Sequence, residues 1–149
     1  MPRRCEIAQS ARTWIGTRFI HQARLKTVGV DCAGIILGVG EDFRLKDKDG
    51  VPFLRSDNSK GGPQPHYDIV LEECKRRMIE IDELREGAVL ALDCLAVACH
   101  SAIVVKYPQG WGMVHADSRP GTGKVVEIPL NDKWRKRIRG MFDYVGVTD

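Results

Sequence analysis

Five cysteines (Cys5, Cys32, Cys74, Cys94, Cys99) and four histidines (His21, His66, His100, His115) are the side chains of this 149-residue chain best suited to nucleophilic chemistry. Cys32 stands out by position. Asp31, a good helix N-cap type, precedes it, and Cys32, Ile35, Ile36 and Val39 share one face of a helical pattern. A thiol in that first turn meets orphan amides and the positive end of the helix dipole. Both favour the thiolate and lower the pKa from its usual ~8.5. His100 follows 68 residues later at the start of a strand pattern, and His115 lies 15 residues further on. A hairpin between those strands brings both imidazoles to one sheet face. His100 then takes the thiol proton and His115 orients the imidazole, as in a thiol hydrolase. Taken alone, the same spacings more often describe a buried cysteine and hydrogen-bonded structural histidines.

The remaining candidates have plainer readings. Cys94, Cys99 and His100 make half a zinc set, but no second Cys/His pair stands at finger spacing and the segment has a strand pattern. Cys94 and Cys99 are therefore expected as small core residues, and no metal or other cofactor is expected. The odd cysteine count, with no export signal in Met1–Glu6 and the polar residues after it, argues against a disulfide framework. His66, between Pro65 and Tyr67, is expected to be structural or exposed, whereas His21 fits a substrate cleft or a structural hydrogen bond equally. Trp14, Trp111 and Trp134 are expected to pack and not to serve as sugar platforms.

The elements that must position these groups form two sets. Residues 3–15 predict a first helix through Ile7, Ala11, Trp14 and Ile15, stopped at Gly16; coil follows to Val30; residues 31–40 predict the helix bearing Cys32, ended by Gly40. Residues 41–66, broken by Gly and Pro, form the long loop, and 67–81 predicts a helix with Glu72–Arg76 and Glu73–Arg77 pairs on its wet side. After Gly87 the period changes. Strand runs at 88–92, 101–105, 112–116 and 124–128 are separated by Gly/Pro turns, then a helical turn at 131–136 and a last strand at 138–145. Helices first and an antiparallel meander second define an α+β class within one domain, 1–149.

Composition sets the limits. Hydrophobic residues at 43% and charged residues at 29% are ordinary globular usage, and no apolar run approaches a membrane span. The net charge of +3 is too small to argue for nucleic acid. Charge is uneven, with six bases and one acid in residues 1–30 and five bases within 133–139. The second run is expected as a solvated face, although it would also suit an anionic wall polymer.

The stretches Thr13–Arg24 and Gly29–Ile35 resemble the opening of NlpC-type cell-wall peptidases, most closely their phage-tail and prophage branch, where G-T-x-[FY]-x-H-Q-G-R precedes D-C-x-G. Arg85–Leu92, His100–Val104, Val114–Ala116, Val125–Leu130 and Trp134–Ile138 are similar to later motifs of the same family, in the same order. The resemblance implies a reduced papain-like α+β domain with the cysteine helix packed on an antiparallel sheet. It also implies Cys32 as nucleophile, His100 as base and His115 as orienting group, with His21, Phe19 and Asp31 at the substrate. The implied reaction is amide hydrolysis in peptidoglycan stem peptides, typically at a D-glutamyl–diamino-acid bond. The implied setting is a phage tail, with tail proteins as neighbours and no membrane or nucleic-acid partner. Such a protein is made in the cytoplasm without a signal peptide and acts at the bacterial wall as part of the particle. The chain departs from the family pattern at Phe19 for Tyr, Ala23 for Gly, Ala88 for Asp and Ala102 for Gly. Two other classes fit the same resemblance: a structural tail-assembly subunit that keeps the fold, and an acyltransferase or thioesterase. The intact Cys32/His100/His115 set favours the peptidase, and no lipid-facing apolar segment supports the third.

Overall fold

The computed structural model describes residues 1–20, 23–54, 69–93, 98–119 and 121–149. His21, His66, Tyr67, Cys94 and the side chain of Cys99 lie outside the described residues, as do positions 55–66 of the long loop.

Helix α1 (Arg4–Arg12) buries Ile7, Ala8 and Ala11, and Trp14 is buried in the turn that follows. The helix ends earlier than its pattern predicts and leaves Ile15 46% exposed. Gly16 takes φ +91° and its amide bonds the Val125 carbonyl at 2.9 Å, so pairing with the sheet outcompetes another helical turn. The expected coil before Cys32 contains a small antiparallel hairpin, β1 (Arg24–Leu25) and β2 (Gly29–Val30). Helix α2 (Cys32–Asp42) runs on past Gly40. Gly38 and Gly40 are packing positions: a Cβ on Gly38 would overlap the Trp14 ring, and one on Gly40 would lie 2.5 Å from the Phe53 Cβ. Tertiary contact, not helix termination, accounts for these glycines.

Helix α3 (Ile69–Arg77) is shorter than the expected 67–81 helix, because Ile79–Ile81 forms strand β3 on the edge of the sheet. The predicted charge pairs also shift. Arg76 bonds Glu73 at 2.6 Å, while Arg77 turns to Asp47 at 3.0 Å. Asp47 is the organising carboxylate of the loop after α2, accepting the Asp49 and Val51 amides at 2.9 Å each.

Strands β4 (Val89–Asp93), β5 (Ala98–Tyr107), β6 (Gly110–Ala116) and β7 (Val125–Pro129) form the antiparallel meander. Helix α4 (Asp132–Arg135) follows, and β8 (Ile138–Asp143) returns to the far edge of β4, giving the order β3-β8-β4-β5-β6-β7. The period of two divides the core. Val89, Ala91, Ile103, Val105, Val114 and Ala116 face α1 and α2, whereas Ala88, Leu90, Leu92, Ala102, Val104 and Met113 meet Leu130 and Trp134. Both faces are covered, so the central strands read as unbroken apolar runs. Among the described residues, no helix is long and apolar enough to cross a membrane.

Candidate active site

The site is built where the start of α2 meets the start of β5. Asp31 caps α2 by accepting the Gly34 amide at 2.8 Å, which fixes Cys32 in the first turn. Arg24, on the preceding hairpin, lies 3.5 Å from the same carboxylate. Cys32 is partly buried. Its thiol pKa is raised, chiefly by burial and then by the Asp31 charge; the side chain and amide of Ser101 and the amide of Ala33 work in the opposite direction. The expectation of a lowered pKa is therefore corrected. The helix-end amides are present, but loss of water around the sulfur and a carboxylate next door outweigh them.

Ser101 was not singled out from the sequence. Its only signal there is a lone hydroxyl beside His100 in an apolar strand, and it is buried on β5. Its link to Cys32 puts the thiol within one residue of His100 along the strand.

The two histidines meet. His100 Nε2 and His115 Nδ1 are 2.8 Å apart and the rings stand nearly perpendicular, at 85°. The register explains the meeting. Ile103 pairs with Val114 across the β5–β6 hairpin, so the positions carrying the two imidazoles fall on the same sheet face. At its start β5 is bulged against β4, with Leu92 opposite His100 and Asp93 opposite Ala98. His115 is 5% exposed. Burial is the largest cause pushing both imidazole pKa values down, to about 3 for His100, where the His115 and Arg137 charges add to it. Asp117 acts the other way on both rings. Both imidazoles are thus neutral at neutral pH. One proton lies between them, donated by either ring according to tautomer. His100 Nδ1 remains as the ring nitrogen not engaged by His115.

Trp134 covers this pair, its ring centroid 5.3 Å from His115 and 6.4 Å from His100. Asn131 caps α4 through the Trp134 amide at 3.1 Å, so even this one-turn helix has a defined start. Trp134 packs, as expected, but on the imidazoles. The basic run 133–139 is not wholly a solvated face: the Arg137 guanidinium lies 4.4 Å over the Trp134 ring and donates to the Asp93 carbonyl at 2.9 and 2.6 Å.

Of the substrate candidates, Asp31 is buried as the cap and Phe19 packs partly buried against the helix-side core, its backbone bridged to Val30. The structure brings together His100 with His115 and Cys32 with Ser101. Ser101 meets Cys32 from the helix-facing side of β5, while His100 and His115 share the Trp134 face; thiol and neutral imidazole pair are the group types that nucleophilic attack and proton transfer use.

No protein-family model and no curated protein matches the sequence. Solved structures do. An NlpC/P60 family protein from Bacillus cereus aligns over 97% of this chain with a TM-score of 0.64 at 17% identity. The NlpC/p60 domain of the peptidoglycan hydrolase SagA aligns over 94% with a TM-score of 0.58 at 19% identity. A protein of the NLP/P60 family from Staphylococcus aureus, similar to a lipoprotein, aligns over 98% with a TM-score of 0.54 at 15% identity. The chain spans 41% and 42% of the Bacillus and Staphylococcus proteins but 97% of the SagA domain. With helices carrying the thiol packed on one antiparallel sheet, this chain has the α+β, papain-like fold of the NlpC/P60 proteins.

Proposed function

We propose that this domain is a cysteine peptidase that hydrolyses amide bonds in peptidoglycan stem peptides. The observation that carries the reading is the 2.8 Å His100–His115 pair on β5 and β6, with Ser101 of β5 bonded to Cys32. In this reading His100 Nε2–H donates to His115 Nδ1, which leaves the His100 Nδ1 lone pair to accept the Cys32 proton. The thiolate attacks the scissile carbonyl, and the Ala33 amide at the helix start favours negative charge there. His100 returns its proton to the departing amine as the C–N bond breaks. Water, deprotonated by the same ring, then releases the acyl group and restores the thiol. A neutral thiol and a neutral imidazole are the resting forms, so the thiolate is generated during attack.

The finer reading is cleavage at a D-glutamyl–diamino-acid bond by a component of a phage or prophage tail. It rests on the resemblance of Thr13–Arg24 and Gly29–Ile35 to that branch of the family. The SagA domain, a peptidoglycan hydrolase by its description, supports the substrate class.

The test is incubation with purified muropeptides and mass analysis of the products. The expected outcome is two fragments whose masses sum to the substrate plus one water, abolished by Cys32→Ala. His115→Ala is expected to cost less than His100→Ala, with His115→Asn retaining part of the activity, because an orienting group can vary in chemistry. Intact muropeptides after incubation with folded wild-type protein would overturn the reading.

A further inference from the structure

The Arg137–Trp134 stack is tied at both ends. Beyond its two bonds from the guanidinium, the Asp93 amide donates back to the Arg137 carbonyl at 2.7 Å, closing a reciprocal clamp between β4 and the residue before β8. The Asp93 carboxylate is occupied separately by Arg139 at 3.0 Å. Arg137 is therefore held by a carbonyl rather than by a carboxylate, and its charge is not cancelled by a direct ion pair at that contact. Trp134 contacts both the Arg137 guanidinium, 4.4 Å from its ring centroid, and the imidazoles, at 5.3 and 6.4 Å, so the charge stands close to the pair in apolar surroundings.

We propose that Arg137 is a positioning residue for the histidine pair: it clamps Trp134 over the His100–His115 hydrogen bond and, as a fixed cation, adds to the burial that disfavours an imidazolium there. The proposal deepens the peptidase reading and rests on it for its catalytic meaning. A cation here opposes formation of an imidazolium, and the apolar indole keeps water from screening it. The other charged groups around the pair are Asp117, which follows β6, Arg119, which bonds Asp117 at 2.7 Å and acts on His115 in the same direction as Arg137, and the Asp93–Arg139 pair on β4 and β8. Asp117 opposes Arg137 on both rings and Arg119 reinforces Arg137 at His115, all three acting on top of the larger effect of burial. Cation–π contact with a bidentate bond to one carbonyl is a geometry that Arg provides and Lys does not, so charge and clamp can be separated by substitution.

The experiment follows the ring-nitrogen resonances of 15N-histidine-labelled protein through a pH titration. With Arg137→Met, the midpoint of the His100–His115 pair is expected to move up by about one pH unit. Arg137→Lys, which keeps the charge, is expected to stay near the wild-type midpoint, and Asp117→Asn to move it down. On stem peptides, the acid limb of kcat/KM is expected to shift upward with Arg137→Met by the same amount. A purely structural role would lower activity at every pH and leave the midpoint in place. An unmoved midpoint in folded Arg137→Met, or in Asp117→Asn should the first variant not fold, would overturn the proposal. Wild-type protein inert on stem peptides would overturn the peptidase reading instead, and the ring titration would still decide whether Arg137 governs the pair.

Discussion

At His100, burial and charge compete for one imidazole. The partly buried ring bonds His115, and its pKa is pushed down to about 3, first by burial and then by the His115 and Arg137 charges. In the unfolded chain it titrates near 6.5. Between those values the unfolded state binds a proton that the folded state refuses, so stability falls as pH drops from about 6.5 towards 3. His115, shifted in the same direction, adds to the slope. Urea unfolding at pH 7 and pH 4 should show a clear loss for the wild type and a smaller one for His100→Asn. Parallel losses would show that other groups set the acid sensitivity. The His100–His115 meeting was legible from the expected hairpin. The direction of the thiol shift was not, because a helix-end dipole is a local property whereas the burial that outweighs it comes from distant chain.

Among the elements, α2 owes its register to Asp31. That carboxylate caps the Gly34 amide and also raises the neighbouring thiol pKa, so one side chain serves helix stability while opposing the thiolate. Asp31→Asn separates the two. The amide oxygen still caps, so the melting temperature should stay near wild type, whereas Asp31→Ala should cost about 1 kcal/mol. With the negative charge gone, the pH midpoint of Cys32 alkylation by iodoacetamide should fall. An unchanged alkylation profile in Asp31→Asn would remove Asp31 as a determinant of the thiol. The cap and the helix start were readable from Asp31-Cys32. The helix end was not, since Gly40 reads as a stop signal and only the packing of Phe53 against it reveals its use. In the same way Ile79-Glu80-Ile81 continues a helical stripe on paper, yet the free edge of β8 recruits it as a strand.

On the scale of the molecule, the chain's two ends are clasped together. Arg4 in α1 makes a bidentate pair with Asp143 of β8 at 2.8 and 2.7 Å and also bonds Asp149 at 2.7 Å. The Tyr144 hydroxyl donates to the Ile36 carbonyl at 2.6 Å, which ties α2 to the same segment. The Arg4 and Asp143 side chains are each only 12% exposed, so removing one strands the other. Arg4→Met is expected to destabilise the domain by about 3 kcal/mol, seen as a lowered midpoint in denaturant at an unchanged slope. A loss below about 1 kcal/mol would class the clasp with ordinary surface pairs.

What the sequence determined by itself was whatever depends on near neighbours. Periodicity three to four marked α1 and α2, and apolar runs of strand length with Gly/Pro turns between them marked β4 to β7. The meander was legible because each of its strands pairs with the next. The return of β8 to β4, the addition of β3, the bond between Ser101 and Cys32, and the Arg137–Trp134 cover over the imidazoles were decided by tertiary structure alone. Each joins residues distant in the chain whose types are unremarkable in isolation. Their energies come from desolvation and close packing, which exist only once the sheet and helices have met.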